Sequence, residues 1–183
     1  PDLESTGYQL LGRNDNFSWR SMTVALDPGT IPEDVYNRVF FIGDDLLFIG
    51  ESDDAYRGAL YTASTDSWAP LSTTGQMNWY PQYRIWTGSQ LILVSSSWDS
   101  NRSGAVYDSA TDTWTTVSTS NAVWPTSEPI WTGTELLCWN TNGGLSGGRY
   151  NPAANTWSAI SMANGRSSLS AVVSQWTGSE WIV

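Results

Sequence analysis

Ile130-Trp131-Thr132-Gly133 is the stretch of sequence that decides the fold, because it recurs along the chain. Near-copies are Ile85-Trp86-Thr87-Gly88 and Gln175-Trp176-Thr177-Gly178, so the three glycines are spaced 45 residues apart. One further step of 45 towards the amino end reaches Gly43, which follows the apolar run 39–42. A fixed period of this length is typical of repeat proteins.

A second repeated segment lies between these motifs and runs from a Tyr to a Trp seven positions later. Its copies cover residues 61–68, 107–114 and 150–157, each with a turn of small polar residues between two β-forming stretches. Asp112 in one of these turns is interpreted as a turn former. Two hairpins per 45 residues predict four-stranded propeller blades.

The two hairpins together resemble the bacterial kelch-type repeat, in which a Trp-Thr-Gly hairpin precedes a Tyr-to-Trp hairpin. The resemblance covers about residues 8–183 and implies an all-β, kelch-like β-propeller similar to the central domain of galactose oxidase. The chain departs from the pattern where a glycine pair usually follows the second strand, as at Ser95-Ser96 and Asn140-Thr141. Copper radical oxidases of this fold use His and a Cys-linked Tyr, and this chain has no His, so their copper site is not expected.

We expect one domain over residues 1–183 with about four four-stranded blades. Continuous repeats are predicted at 39–71, 84–117 and 129–160. Residues 171–183 together with 8–22 are predicted to form a split blade that closes the ring. The alternative is a part of a larger propeller, completed by self-association or by another chain, since the family it resembles more often has six or seven blades.

The composition narrows the range of partners. There are 18 acidic residues and 8 basic ones, all of them Arg, which gives a net charge of -10. This charge opposes docking on nucleic acid, and no apolar run is long enough for membrane insertion. Abundant Ser, Thr, Asn, Gly and Trp without Lys favour an extracellular or cell-surface location. Cys138 lies in an apolar stretch and is predicted to be a buried structural thiol.

Two tryptophans outside the repeated positions are predicted to mark a binding face. Trp79 and Trp124 are 45 residues apart, whereas the positions one further period away hold Asp34 and Leu169. We therefore expect two exposed indoles in loops before new blades, with a structural lid over the blades as the alternative. The predicted ligand-binding residues are Trp79, Tyr80, Arg84, Trp124 and Glu128.

Acidic loops at 51–54 and 98–101 occupy equivalent positions in successive repeats and carry the oxygen ligands that calcium prefers. Their spacing matches no known calcium loop, so Asx turns are the main interpretation and no cofactor is expected. Calcium at Asp53, Asp54 and Asp99 is the open alternative. We place the loops at 51–57, 98–103 and 140–147 on the face opposite Trp79 and Trp124.

Three functions are compatible with these features. The first is a non-enzymatic extracellular binding module that recognises a protein or a glycan through loops on a propeller face. The second is a glycan-processing enzyme of the sialidase or sugar-isomerase kind, for which Arg38, Arg84 and Glu128 stand before successive blades. The third is a structural repeat domain of a larger surface assembly.

The Trp that ends each Tyr-to-Trp segment is predicted to be a core residue. Replacing Trp68, Trp114 or Trp157 by Ala is therefore expected to lower the free energy of unfolding by about 3 to 5 kcal/mol, measured by chemical denaturation. A loss below about 1 kcal/mol would place that side chain at the surface.

Overall fold

The computed structural model describes residues 9–11, 19–21, 38–52, 55–75, 81–142, 145–161 and 175–182. Within these ranges the chain forms sixteen β-strands and no helix, and so no helix that could span a membrane. The predicted all-β class is confirmed. The chain divides into two compact units, Pro1–Leu71 and Ser72–Val183.

The first unit contains a two-stranded hairpin and a four-stranded antiparallel sheet in which neighbouring strands follow chain order. Leu46, Phe48 and Tyr61 form its buried cluster, and the half-buried Trp68 packs against them. The hairpin strands are β1 (Gln9–Leu11) and β2 (Trp19–Ser21), and the sheet strands are β3 (Arg38–Ile42), β4 (Asp45–Ser52), β5 (Ala55–Thr62) and β6 (Ser67–Pro70).

The second unit contains two four-stranded antiparallel sheets and one hairpin, again with each strand beside the next one in the chain. The first sheet comprises β7 (Tyr83–Trp86), β8 (Gln90–Val94), β9 (Gly104–Asp108) and β10 (Thr113–Thr116). The second comprises β11 (Ile130–Trp131), β12 (Leu136–Asn140), β13 (Ser146–Asn151) and β14 (Thr156–Ile160). The hairpin comprises β15 (Gln175–Trp176) and β16 (Trp181–Ile182).

The two four-stranded sheets of the second unit share one hydrophobic core. Ile92 and Val106 of the first sheet pack in the same cluster as Leu136 and Tyr150 of the second. Cys138 is fully buried in this core, which confirms the predicted structural thiol, and burial raises the pKa of its thiol group. Side chains that face inwards from two neighbouring sheets are what stabilise a propeller blade against the next one.

The repeated Trp-Thr-Gly motif forms the turn between the first two strands of a sheet. Thr132 Oγ1 accepts a hydrogen bond from the N–H of Glu135 at 3.0 Å and donates one to the carbonyl oxygen of the same residue at 3.0 Å. The glycine that follows the Thr, Gly133, has a φ of 104°, a conformation that residues with a Cβ rarely adopt. The same turn occurs after Trp86 and after Trp176.

The Tyr-to-Trp segment of the first sheet in the second unit forms a compact hydrogen-bonded arrangement that we call the indole latch. Asp112 Oδ1 accepts hydrogen bonds from the Tyr107 hydroxyl at 3.0 Å and from the N–H of Ser72 at 2.9 Å. The Trp114 indole N–H donates to the carbonyl oxygen of Ser72 at 2.7 Å. Both polar groups of the Ser72 backbone are therefore bound by one hairpin.

A second indole latch joins the two four-stranded sheets of this unit. Asn155 Oδ1 accepts from the Tyr150 hydroxyl at 2.9 Å and from the N–H of Ser118 at 2.8 Å. The Trp157 indole N–H donates to the carbonyl oxygen of Ser118 at 2.7 Å, and Asn155 Nδ2 donates to that of Thr116 at 3.0 Å. The latch binds the segment that directly follows β10, so it fixes one sheet against the other.

Three four-stranded sheets at 38–70, 83–116 and 130–160 confirm a fold built from propeller blades. Trp114 and Trp157 are buried, as the sequence predicts, while Trp68 is half-buried against its core cluster. The terminal hairpins are two-stranded sheets, each within its own unit. The split blade and the total number of blades stay predictions.

Asn155 has a φ of 51°, a conformation that favours glycine. Substitutions at Asn155 therefore separate the contribution of the latch to stability from the effect of this backbone conformation. We expect Asn155→Gly, which removes the side chain without backbone strain, to lower the free energy of unfolding by about 1 to 3 kcal/mol. Asn155→Ala should cost more because of its positive φ. Asn155→Asp, which reproduces the residue found at Asp112, should lower the free energy of unfolding less than either of these variants. An Asn155→Gly variant that is as stable as the wild type in urea denaturation would refute the latch.

Candidate binding surface

Three loops of the second unit emerge at one end of its two four-stranded sheets. They are residues 95–103 between β8 and β9, 117–129 between β10 and β11, and 141–145 between β12 and β13, of which 143–144 lie outside the described residues. Because neighbouring strands are antiparallel, the loops after the second and fourth strands of a sheet leave it at the same end. We call this surface the loop end.

The structure corrects the sequence-based assignment of these loops to opposite faces. Residue Ser97, in the first loop, donates its N–H to the carbonyl oxygen of Pro125 in the second loop at 2.8 Å. Its Oγ donates to Asn140 Oδ1 at 3.3 Å, and its carbonyl oxygen accepts from Asn142 Nδ2 at 3.3 Å. The loop before a new blade and the loop within a blade are therefore in direct contact. The expectation was wrong because it overlooked strand direction.

A second set of hydrogen bonds joins the loop 117–129 to the end of β12. The N–H of Thr126 donates to the carbonyl oxygen of Trp139 at 2.8 Å. Thr126 Oγ1 accepts from the N–H of Thr141 at 3.1 Å and lies 3.1 Å from the Thr141 hydroxyl oxygen. All three loops are thus fixed to one another by backbone as well as side-chain groups.

Trp98 projects from the most tightly bonded of these loops. Its backbone N–H donates to Ser96 Oγ at 3.2 Å, and the N–H of Ser96 donates to Asp99 Oδ2 at 2.8 Å. The N–H of Asp99 donates back to the carbonyl oxygen of Ser96 at 3.2 Å. The three serines that precede Trp98 are buried, yet the Trp98 side chain is 67% exposed. A fixed backbone therefore holds a large apolar ring in solvent.

Trp124, one of the predicted ligand-binding residues, lies in the core instead of at the surface. Its side chain is only 7% exposed, and its ring centroid is 6.0 Å from that of Trp157. Val123 beside it lies against Gly148, so the loop covers the end of the inter-sheet core. The expectation of an exposed indole at this position is wrong, and the structural alternative describes Trp124 better.

The remaining predicted site residues lie at different depths. Glu128 is exposed in the loop 117–129, and Arg84 is half-buried in β7. Trp79 and Tyr80 lie outside the described residues. A role of any of these residues in ligand binding stays a prediction.

A buried tyrosine hydroxyl lies beneath the loop end. Burial raises the pKa of Tyr83 above its ordinary value, a hydrogen bond with Ser96 lowers it, and the charges of Glu128 and Asp99 raise it further. The net shift is upwards, so the phenol stays protonated at neutral pH. The loop end thus contributes a hydrogen bond from Ser96 and the charges of Asp99 and Glu128 to the surroundings of this hydroxyl.

The described residues hold no group of three or more Asp, Glu, Cys or His placed to bind a metal ion. Asp99 Oδ2 accepts the hydrogen bond from Ser96 N–H, the arrangement of an Asx turn. Asp53 and Asp54 lie outside the described part of the chain. Calcium binding at these three residues stays a prediction.

A groove lies between the sheet β11 to β14 and the hairpin β15–β16, with a volume of about 480 Å³. Its charged groups are paired with each other, since Arg149 Nη1 is 3.7 Å from Glu135 Oε2. Trp176 in its wall is half-buried. This groove offers less for recognition than the loop end, where an aromatic ring is exposed.

The sequence analysis names the loop 98–103 but does not single out Trp98 as a candidate binding residue, although the signal is present in the sequence. Positions one period before and after it hold Asp53 and Gly143, so the fold requires no Trp there. Trp98 thus breaks the repeat in the same way as Trp79 and Trp124 do. Exposure distinguishes the two outcomes, because Trp98 is in solvent and Trp124 is in the core.

No family model matches the chain, and no curated protein matches it. Among solved structures it is similar to the tricorn protease, with a TM-score of 0.50 and 14% identity over 73% of this chain and 14% of that one. It is also similar to TolB from Acinetobacter baumannii, with a TM-score of 0.39 and 10% identity over 65% of this chain and 30% of that one. The tricorn protease is a β-propeller fold, and the likeness agrees with the blades described above.

Alanine substitutions should separate the buried indole from the exposed one. We expect Trp124→Ala to lower the free energy of unfolding by about 3 to 5 kcal/mol, because it leaves a cavity between two sheets. Trp98→Ala should change it by less than about 0.5 kcal/mol. Chemical denaturation of the two variants measures both values, and similar losses would contradict the assignment.

Proposed function

We propose that the protein is a non-enzymatic, extracellular or cell-surface binding module that engages its ligand through the loop end. The observation that carries this proposal is Trp98, a 67% exposed indole on a backbone fixed by hydrogen bonds. Trp is enriched among the residues that contribute most to binding at protein interfaces. The proposed ligand is a glycan or a protein.

The hydrogen bonds around Trp98 favour binding because they lower its entropic cost. Ser97 is joined to Pro125 and Asn142 across two other loops, so the backbone is already ordered before a ligand arrives. Binding then immobilises little more than two side-chain torsions of the indole. A rigid aromatic anchor of this kind supports recognition without a conformational change.

The chemistry of the loop end supports binding over catalysis. Asp99 holds the loop through its bond to Ser96, and the pKa of Tyr83 is raised, so the phenol is no nucleophile at neutral pH. The chain also has no histidine. Histidine, the side chain used most often for general acid–base catalysis, is therefore not available at this surface.

The test is specific binding by the wild-type protein on a glycan array and against a displayed random-peptide library. We expect binding to at least one of them, weakened about 30-fold or more by Trp98→Ala, which corresponds to about 2 kcal/mol. Phe41→Ala is the matched control, because Phe41 is 66% exposed on β3 and does not belong to the loop end. Its affinity should equal that of the wild type.

Three results would contradict the proposal. The first is specific binding that Trp98→Ala leaves unchanged, and the second is no specific binding to either collection of ligands. The third is turnover of a sialylated chromogenic reporter by the wild-type protein, which would favour the glycan-processing alternative. Unfolding midpoints of all variants show whether a loss of binding reflects a loss of fold.

A further inference from the structure

We infer that the ligand of the loop end is an uncharged oligosaccharide, with one sugar ring stacked on the Trp98 indole. The inference rests on the proposed function and names its ligand class. A sugar presents an apolar face of C–H groups and an edge of hydroxyls, so it requires a flat aromatic ring surrounded by polar partners. The loop end has this combination.

The first argument is the absence of apolar neighbours on the loop that carries Trp98. Within residues 95–103 every other side chain is a Ser, Asp, Asn or Arg. Among the larger apolar side chains of the two adjoining loops, Val117 and Trp124 are buried in the inter-sheet core, and Val123 and Leu145 are half-buried. Protein hot spots usually lie within a ring of further contacts that excludes water. An exposed indole whose own loop is otherwise polar fits a sugar face better than a protein side chain.

The second argument is the set of hydrogen-bonding groups beside the indole. Asn101 and Arg102 follow Trp98 on the same loop, and both are exposed. Asn142, also exposed, is held close to the Trp98 backbone by its bond to the Ser97 carbonyl oxygen. Amides both donate and accept, as sugar hydroxyls do, and a carboxylate such as Asp99 accepts. These groups provide partners for several hydroxyls at once.

The third argument concerns charge. The net charge of the chain is -10, and Asp99 and Glu128 both lie at the loop end close enough to raise the pKa of Tyr83. Arg102 is the single basic residue among positions 95–103. A chain with a net charge of -10 repels anionic sugars such as sialic and uronic acids, whereas a neutral sugar is unaffected. The inferred ligand is therefore neutral.

The experiment is calorimetric titration of the full chain with neutral oligosaccharides and with their sialylated counterparts. We expect measurable affinity for at least one neutral oligosaccharide and at least about tenfold weaker binding of its sialylated form. Trp98→Ala should abolish the interaction, and Trp98→Phe should restore part of it because an aromatic face remains. Phe41→Ala should bind as the wild type does. The indole N–H signal of Trp98, assigned with the Ala variant, should shift on titration.

The possible failures are distinguishable. Peptide binding that requires Trp98, without affinity for any neutral oligosaccharide, overturns this inference and leaves the proposed function intact. Preference for sialylated over neutral ligands also overturns it. Glycan binding that is unchanged in Trp98→Ala overturns both the inference and the proposed function. A variant that has lost its cooperative unfolding transition is replaced by Trp98→Gln, which keeps a polar side chain of moderate size on the same loop.

Discussion

The hydrogen bond from a tryptophan indole N–H to a serine carbonyl oxygen is the interaction on which the described architecture of the second unit depends. It occurs twice at 2.7 Å, from Trp114 to Ser72 and from Trp157 to Ser118. Each ring also packs on the Tyr of its own hairpin, with centroids 4.8 Å and 5.1 Å apart. A buried indole N–H without a partner would cost about 1 to 3 kcal/mol, so apolar packing and polar pairing must be satisfied together. That double requirement explains why Tyr, a turn Asp or Asn, and Trp recur at fixed spacing.

The latch also determines where the loop end forms. By holding Ser118 against Trp157 and Asn155, it sets the start of the loop that runs from β10 to β11. That loop then crosses the end of the inter-sheet core, buries Trp124, and brings Pro125 to the N–H of Ser97. The position of the exposed indole is therefore a consequence of core packing several residues away. Recognition surfaces on rigid scaffolds commonly depend on their framework in this way.

The strands could be predicted from sequence because their signals are local. The Thr hydroxyl and the glycine with positive φ define the first turn within four residues, and Tyr107 and Asp112 define the second within six. The burial of Trp124 could not be predicted, since burial of a loop residue depends on whether the loop folds back over the next sheet. Trp79 and Trp124 were expected to be equivalent from their spacing alone, and spacing carries no information on exposure. The end of the sheet at which each loop lies depends on strand direction. Strand direction can be assigned only when all four strands of a sheet are counted.

Trp98 and Trp124 both depart from the period, because the positions one period further along hold Gly143 and Leu169. Trp124 packs in the inter-sheet core, so packing explains its departure from the period. Trp98 departs from it without filling any gap, and the neighbouring residues depart with it: buried serines stand where the resemblance leads one to expect a pair of glycines. Glycines would have allowed the loop to turn but would have supplied no hydroxyl groups. The serine hydroxyls bind the backbone of Trp98 and of Ser103, so they fix a ring that contributes nothing to the core. Ordering a loop costs about 1 to 2 kcal/mol per residue, and the hydrogen bonds of these serines offset part of that cost around a ring that lies in solvent.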